Sequence, residues 1–359
     1  MPEKQQTENP ATEQQLTVAS AGESGLLARI FPLLPEGTAT LLGPGDDAAV
    51  VAAPDGRVVV SIDTQTQDQD FRLHWNNGYA STGHDVGWKS AAQNLSDMNA
   101  MGAVPHSLLI SLTLPPSTPV AWVEGFARGV HDAVRTLGAD VAVVGGDLGR
   151  GREISVTATA MGNLAGAAPA LRSGARPGDV VAVAGTLGRA AAGFALLESD
   201  VPFGSLDAPQ RALMDAQCRP TPPLGSGPRA LAAGVTAMMD VSDGLLKDAS
   251  RLARASGCTL VLDAVVLASF AAALLPAATL LAGAGHAAEA LALGWAVGGG
   301  EDFALLSTFP GSDPVPDGFT VIGSVVPTAP GRDHDAVLAG GSGDDAPDTT
   351  RGWDHFGAA

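Results

Sequence analysis

Acidic residues set beside glycines or small hydroxyl residues recur along the chain: Gly45-Asp46-Asp47, Ser61-Ile62-Asp63, Leu95-Ser96-Asp97, Gly146-Asp147, Asp240-Val241-Ser242-Asp243-Gly244 and Gly300-Glu301-Asp302. Carboxylates brought together repel one another unless a cation sits between them. Hard oxygen donors at glycine-flanked bends suit Mg²⁺, above all when the ion also holds phosphates. The pattern therefore implies a polynuclear metal site that handles nucleotide phosphates. Each cluster also has a plainer reading. Asp243 could cap the helix after Gly244, Asp147 could be a turn residue, and Asp97 could lie on a solvated helix face. Of the adjacent Asp46 and Asp47, only one would face a site from an extended segment. Asp63, at the end of an apolar strand, needs a partner, because an ionised group there is costly. Asp240 and Asp243, three apart, would share one face of a helical first turn, close enough for one metal or two adjacent ones.

Cations are scarce by comparison. The 359 residues carry 20 Lys and Arg against 38 Asp and Glu, a formal charge of −18. Such a field repels nucleic acid and anionic membrane, and a small anion would bind only through local metals or arginines. The lysines are Lys4, Lys89 and Lys247, and none closes a Gly-x-x-x-x-Gly-Lys-Ser/Thr loop. A triphosphate would be expelled from so acidic a site unless several Mg²⁺ ions bridged it to the protein, which makes metal obligatory. The 7 histidines show no His-x-x-x-His spacing, and no Ser-His-Asp or Cys-His arrangement is apparent. Zinc hydrolysis and covalent catalysis therefore rank low. Cys218 and Cys258 form no Cys-x-x-Cys pair and read as reduced thiols. The polar start of the chain carries no secretory signal and reads as a tail on a cytoplasmic protein.

Two domains are expected from the length: a tail over 1–17, a β-rich domain with flanking helices over 18–165, and an α/β domain over 166–359. In the first, a helix is expected from Glu23 to Leu34. Ala48 to Ala52 and Val58 to Ile62 read as a hairpin about Pro54-Asp55-Gly56 that brings Asp47 and Asp63 together. Val86 to Met101 reads as a helix with Ala91, Leu95 and Met98 on its apolar stripe and Asp97 elsewhere on its surface. A strand over Ser107 to Leu114, a helix over Pro119 to Leu137 capped by Thr118, and a strand over Val141 to Val144 ending at Gly145-Gly146-Asp147 follow. Ile154 to Met161 reads as another strand, with a junction near Gly162 to Pro169. In the second domain, strands are expected at Val180 to Ala184, Val235 to Asp240 and Phe319 to Val326. Helices are expected from Gly185 to Leu197 and from Leu245 to Ala255. Ala264 to Gly285 carries no charge, but its alanines and Pro276 suit a broken, buried helix rather than a membrane span. Gly340 to Thr350 reads as a flexible insertion.

The combination and order of these motifs resemble the thiamine-monophosphate kinase family, within the superfamily of aminoimidazole-ribonucleotide-synthetase-like (PurM-like) ATP enzymes. The resemblance rests on Gly43-Pro44-Gly45-Asp46-Asp47-Ala48-Ala49, Ser61-Ile62-Asp63-Thr64, Asn94 through Pro105, Gly145-Gly146-Asp147 and Arg172 through Asp179. It continues through Asp240 to Leu245, Gly299-Gly300-Glu301-Asp302-Phe303 and the terminal Gly352-Trp353-Asp354-His355-Phe356. It implies a two-domain PurM-like fold whose N-terminal domains pair as a barrel in a homodimer. It also implies transfer of the ATP γ-phosphoryl group to thiamine monophosphate. By motif, Asp47, Ser61, Asp63, Asp97, Asp147, Asp240 and Asp243 would bind Mg²⁺, while Gly146, Asp147, Arg172 and Ser242 would contact ATP. Glu301 and Trp353 would face the thiamine part, and a carboxylate with an indole face is a sound receptor for a cationic thiazolium and a flat pyrimidine. The acceptor phosphate is already a nucleophile, so no general base is required.

The chain departs from the family pattern at Asp68-Gln69-Asp70-Phe71, where a histidine is often found in place of Asp70 near the substrate phosphate. It departs again at Leu148, where a threonine commonly follows Gly-Gly-Asp. Other readings stay open. One is a different enzyme of the same superfamily, although the Phe356-Gly357-Ala358-Ala359 end lacks a terminal cysteine to modify. Another is a non-catalytic divalent-metal-binding protein.

Overall fold

The computed structural model describes residues 16–44 and 48–339. Asp46, Asp47, Trp353, most of the expected tail and the Gly340 to Thr350 segment lie outside the described residues. The first domain begins with α1 (Val18–Ile30), opened by a Thr17/Ser20 capping box and followed by a 3-10 turn at Phe31–Leu33. Strands β1 (Thr40–Leu42), β2 (Val50–Val51) and β3 (Val59–Thr66) follow, then α2 (Gly83–Ala100), β4 (Val104–Leu114), α3 (Val120–Thr136), β5 (Ala142–Arg150) and β6 (Ser155–Asn163). The larger sheet runs β3-β6-β4-β5, with β4 and β5 parallel and the other pairs antiparallel. Helices α2 and α3 pack together over one face through a core that includes Leu95, Met98, Val123, Phe126, Leu108 and Val156. The other face stays open: Val60 is 58% exposed and Ile62 62%.

Several expectations for this domain are corrected. β2 pairs with β1 rather than with β3, and β3 gives its whole length to β6. The Pro54-Asp55-Gly56 turn does form, but Asp55 accepts hydrogen bonds from Arg57 N and Gly166 N, which ties the turn to the end of the domain instead of folding a hairpin. Thr118 does not cap α3. Its carbonyl accepts from Val18 N at 2.9 Å, and Pro119 begins the helix without a side-chain cap. β5 does not end at the glycines, because parallel pairing with β4 continues from Leu109 opposite Gly145 to Leu114 opposite Arg150. Asp147 is therefore a mid-strand residue. Asp63 is also within its strand rather than at its end, opposite Ala158.

Glycines set how closely α2 and α3 approach. A Cβ at Gly83 would lie 1.8 Å from Trp122 O, at Gly87 2.1 Å from Phe126 O, and at Gly129 2.1 Å from His84 O. These are backbone atoms that cannot swing aside. Gly87→Ala is expected to destabilise the protein by about 2 kcal/mol or more through overpacking, lowering the melting temperature by about 4 °C in a chain of this size. Thermal unfolding followed by circular dichroism checks this, and an unchanged midpoint would show that the helices separate freely.

The second domain contains β7 (Val180–Ala184), α4 (Arg189–Glu198), α5 (Ala208–Cys218), α6 (Ser226–Ala232), β8 (Ala237–Val241), α7 (Leu245–Ser256) and β9 (Thr259–Asp263). It continues with α8 (Ala264–Ala272), α9 (Leu275–Ala282), α10 (His286–Gly298), β10 (Ala304–Phe309), β11 (Phe319–Val326) and β12 (Ala336–Ala339). Its sheet runs β12-β9-β11-β7-β10-β8 and is antiparallel except for β12 with β9. Strands β7, β8 and β10 are buried on both faces, which explains their unbroken apolar runs. Val181, Val183 and Met239 pack with Leu245 and Leu252 of α7, while Ala182, Ala184 and Met238 pack with Ala100 of α2 and Ala230 of α6. The uncharged stretch forms α8 and α9, bent by 80°. The break precedes Pro276, which sits in the first turn of α9. Among the described residues, no single helix is long and apolar enough to cross a membrane.

Candidate active site

Helix α2 carries the site. Asp85, Lys89, Gln93 and Asp97 recur every fourth residue, which places them in one row along a helix whose remaining surface is almost wholly buried. Asp85 anchors the N-terminal end of the row. It completes a capping box with Thr82 and pairs with Arg219 at the end of α5 in the second domain. Lys89 reaches Glu301, Gln93 reaches Gln65 and Asp63, and Asp97 reaches Ser61 and Asp63. Asp97 is therefore not on a solvated face: the row is turned toward β3 and the second domain.

At the C-terminal end of the row, Ser61 Oγ donates to Asp97 Oδ2 at 2.5 Å, and the carboxyls of Asp63 and Asp97 share a hydrogen bond. Ser96, next in sequence, donates to Asp240 Oδ2 at 3.2 Å and so brings in an acid from β8. Burial, followed by the charge of Asp97, pushes the Asp63 carboxyl up to about 6. Burial, then Asp97 and Asp248, pushes Asp240 up to about 7. Asp97 is raised by burial, while Ser61, Asp63 and the Arg172 guanidinium pull it back. Arg172 acts on Asp240 in the same direction. It is exposed, and its charge reaches an acid of each domain, Asp97 and Asp240. Three carboxyls thus hold protons above their ordinary range, chiefly through burial and, for Asp63 and Asp240, through the neighbouring carboxylates, a condition a hard cation would relieve. Among the described residues, no three acidic, His or Cys side chains close on one point as a complete metal centre.

Asp240 and Asp243 do not share a helical turn. Asp240 lies in β8 opposite Leu305, and Asp243 follows in the loop before α7. Asp243 does not cap that helix either. Buried Asp248 accepts from the N–H groups of Asp243 and Gly244 at 2.9 and 3.2 Å, while Asp243 pairs with Arg251 at 2.6 Å and Lys247 at 3.3 Å. Ser242 accepts through its carbonyl from Glu301 N at 2.9 Å. Gly244 is held at φ +126°, and a Cβ there would lie 2.5 Å from Gly298 O. The Ser242 to Gly244 loop and the Gly298 to Glu301 loop are therefore seated on each other.

The pairing register separates two of the expected ligands. Asp63, Ala158, Ile110 and Gly146 form one row across the first sheet, whereas Thr64, Thr157, Ser111 and Asp147 form the next. Neighbouring rows point to opposite faces. Asp147 accordingly lies on the open face with exposed Ile62. There, with Gly146, Pro44 and Ala48, it lines a cavity of about 910 Å³. The structure brings Asp63, Asp97 and Asp240 together and places Asp147 apart from them. Gly146 has no room for a side chain, since a Cβ would lie 2.0 Å from Ile110 O.

At the middle of the α2 row a second pocket, of about 370 Å³, is lined by Asp70, Phe194, Gln217, Trp295 and Glu301 among others. The two positions expected near the second ligand, Asp70 and Glu301, therefore meet. Glu301 adopts φ +67° and is gripped by Lys89 at 2.7 Å and Gln217 at 2.6 Å. The Asp70 carboxylate accepts from Thr66 N at 2.7 Å and closes its own loop. Asp302 is structural: it accepts from Thr186 Oγ1 and from the N–H groups of Arg189 and Ala190, capping α4, and burial pushes it up to about 7. Lys89, Gln93, Gln217 and Asp248 were not anticipated from sequence. The four-residue spacing of Asp85, Lys89, Gln93 and Asp97 was the available signal for the first two.

Comparison with known proteins identifies the family. Residues 45–164 match the model of the AIR synthase related protein N-terminal domain, and 176–288 match the model of its C-terminal domain. The thiamine-monophosphate kinase of Mycobacterium tuberculosis H37Rv is 42% identical over 326 residues, covering 89% of this chain and 88% of the relative. The chain belongs to the thiamine-monophosphate kinase family. Among solved structures, the thiamine-monophosphate kinase of Stenotrophomonas maltophilia K279a superposes with a TM-score of 0.71 at 30% identity, covering 88% of this chain and 95% of that one. AaThiL complexed with AMPPCP and TMP gives a TM-score of 0.67 at 28% identity, covering 96% and 100%. Within this thiamine-monophosphate kinase family member, the N-terminal match contains Asp63, Asp97 and Asp147, and the C-terminal match contains Asp240 and Asp243. Arg172 falls between the two matched spans and Glu301 beyond them.

Proposed function

We propose that this chain transfers the γ-phosphoryl group of ATP to thiamine monophosphate, yielding thiamine diphosphate and ADP. The observation that carries the reading is the single helix α2 joining two sites. Asp97 at the acid cluster and Lys89 at the Glu301 pocket are eight residues apart, about 12 Å along the axis. One rigid element thus sets the distance between a phosphate-handling end and an end fitted to a small cationic ring system. The complex of AaThiL with AMPPCP and TMP supports two ligands of this kind.

Asp63, Asp97 and Asp240 with Ser61 would hold Mg²⁺; by the family resemblance Asp47, Asp147 and Asp243 would also bind Mg²⁺, Asp147 at a separate position on the sheet's other face and Asp243 only on leaving Arg251 and Lys247. When bound, Mg²⁺ supplies charge neutralisation to the phosphates, the main requirement of a loose phosphoryl transfer. By the family resemblance, Arg172, Gly146 and Ser242 would contact the nucleotide. Glu301, whose pocket Asp70 also lines, would face the thiazolium, and by the family resemblance Trp353 would join it. No residue need remove a proton, because the acceptor oxygen is anionic; the chain's task is alignment.

The exposed Val60, Ile62 and Leu109 suit a second copy of this chain, giving a homodimer whose first sheets form a barrel, with domains over 18–165 and 166–359. A kinase that draws on ATP and thiamine monophosphate would act in the cytoplasm. The testing experiment incubates purified protein with ATP, thiamine monophosphate and Mg²⁺ and follows both products by chromatography. Chelation with excess EDTA is expected to lower the rate at least about 1000-fold, and added Mg²⁺ to restore it. Full turnover in EDTA would remove metal from the reading, and absence of thiamine diphosphate with Mg²⁺ present would remove the function.

A further inference from the structure

We propose that Lys89 is a positioning residue that holds Glu301 in place for the thiamine ligand, with Gln217 as its neutral counterpart. This rests on the functional reading above and adds to it the residues that organise the second pocket. Lys89 has only 3% of its side chain exposed, and a buried ammonium is costly unless closely paired. Its Nζ lies 2.7 Å from Glu301 Oε1 and 3.1 Å from the Asp70 carbonyl. Gln217 Nε2 donates to the other oxygen, Glu301 Oε2, at 2.6 Å. With both carboxylate oxygens taken, the group cannot rotate. The backbone is fixed as well: Glu301 N donates to Ser242 O, and a Cβ at Gly300 would lie 2.3 Å from that same oxygen. Lys89 thus joins three pieces of the site: α2, the loop ending at Asp70, and the Glu301 loop seated on Ser242.

For a cationic ligand, Lys89 has two opposed effects. Its charge offsets that of Glu301 and weakens attraction, whereas its hydrogen bonds fix the carboxylate and spare the ligand the entropy of ordering it. Glu301 is one-third exposed, so the charge effect is screened, while rotamer freedom returns in full once the grip is lost. Positioning therefore dominates. Lys89→Met should raise the KM for thiamine monophosphate about tenfold while the KM for ATP stays within about twofold. Lys89→Arg should recover most of the loss, and Gln217→Leu should raise the same KM about threefold. Hydrogen exchange at residues 298–303 of the full-length protein should be faster in Lys89→Met. A KM for thiamine monophosphate that stays constant or falls in both Lys89→Met and Gln217→Leu, or an ATP KM that rises in parallel, overturns the proposal. Should Lys89→Met not fold, Gln217→Leu alone decides. Should the wild type make no thiamine diphosphate, the functional reading falls while the exchange measurement still judges the grip: faster exchange upholds it and unchanged exchange overturns it.

Discussion

Asp240→Asn is expected to abolish turnover and, in the same protein, to raise the stability of the metal-free form. Asp240 is buried in β8, and burial, then the charges of Asp97 and Asp248, push its carboxyl from the ordinary 3.8 up to about 7, against the hydrogen bond that Ser96 donates to it. A carboxyl raised in the folded state contributes stability that is present below about pH 4 and lost as pH rises through about 7, because only the unfolded chain then ionises it freely. Asn resembles the protonated acid in shape and keeps the Ser96 contact. At pH 8 and without metal, Asp240→Asn should therefore exceed the wild type by about 2 kcal/mol, or about 4 °C in melting temperature, and at pH 4 the difference should vanish. With Mg²⁺ and both substrates, the same change removes an anionic oxygen that the metal needs, and kcat/KM should fall about 1000-fold. A variant that is no more stable at pH 8, or that turns over normally, would show that Asp240 is a satisfied core residue.

Glu301→Gln should act on the other substrate. The carboxylate is the anionic group offered to a thiazolium in the second pocket, so its loss should raise the KM for thiamine monophosphate about 100-fold with little change for ATP. It also strands Lys89, whose ammonium is buried, and breaking a buried pair from one side costs about 3 kcal/mol. The variant is thus expected to be both weak-binding and less stable, the opposite stability sign from Asp240→Asn. Parallel melting curves and steady-state kinetics separate the two effects. A KM for thiamine monophosphate that is unchanged, or that rises no more than the KM for ATP, would place Glu301 outside the thiamine end.

Much of this is legible in the sequence. The Val180 to Ala184 run identified a strand, and Pro276 with its flanking alanines identified a broken helix. Of the acids in the cluster, Asp63 was legible as a residue costly to ionise. What could not be read locally was pairing. The turn at Pro54-Asp55-Gly56 looks sufficient for a hairpin, but β3 has an alternating face that only β6, far along the chain, can extend. Gly145-Gly146 looks like a strand end, yet parallel pairing with β4 carries β5 through it and turns Asp147 to the open face. Asp97 was hardest to place. An apolar stripe of Ala91, Leu95 and Met98 describes a helix with one buried side, whereas Gly83 and Gly87 let α3 close over another and the second domain covers the polar row. The burial of Asp97 comes from these long-range contacts, and so does its use.

The most direct measurement uses ATP labelled in its γ-phosphate, supplied with thiamine monophosphate and Mg²⁺. The label is expected in the terminal phosphate of thiamine diphosphate, with one ADP formed for each. Label appearing only as inorganic phosphate, or ADP formed at the same rate without thiamine monophosphate, would contradict direct transfer between two ligands held along α2.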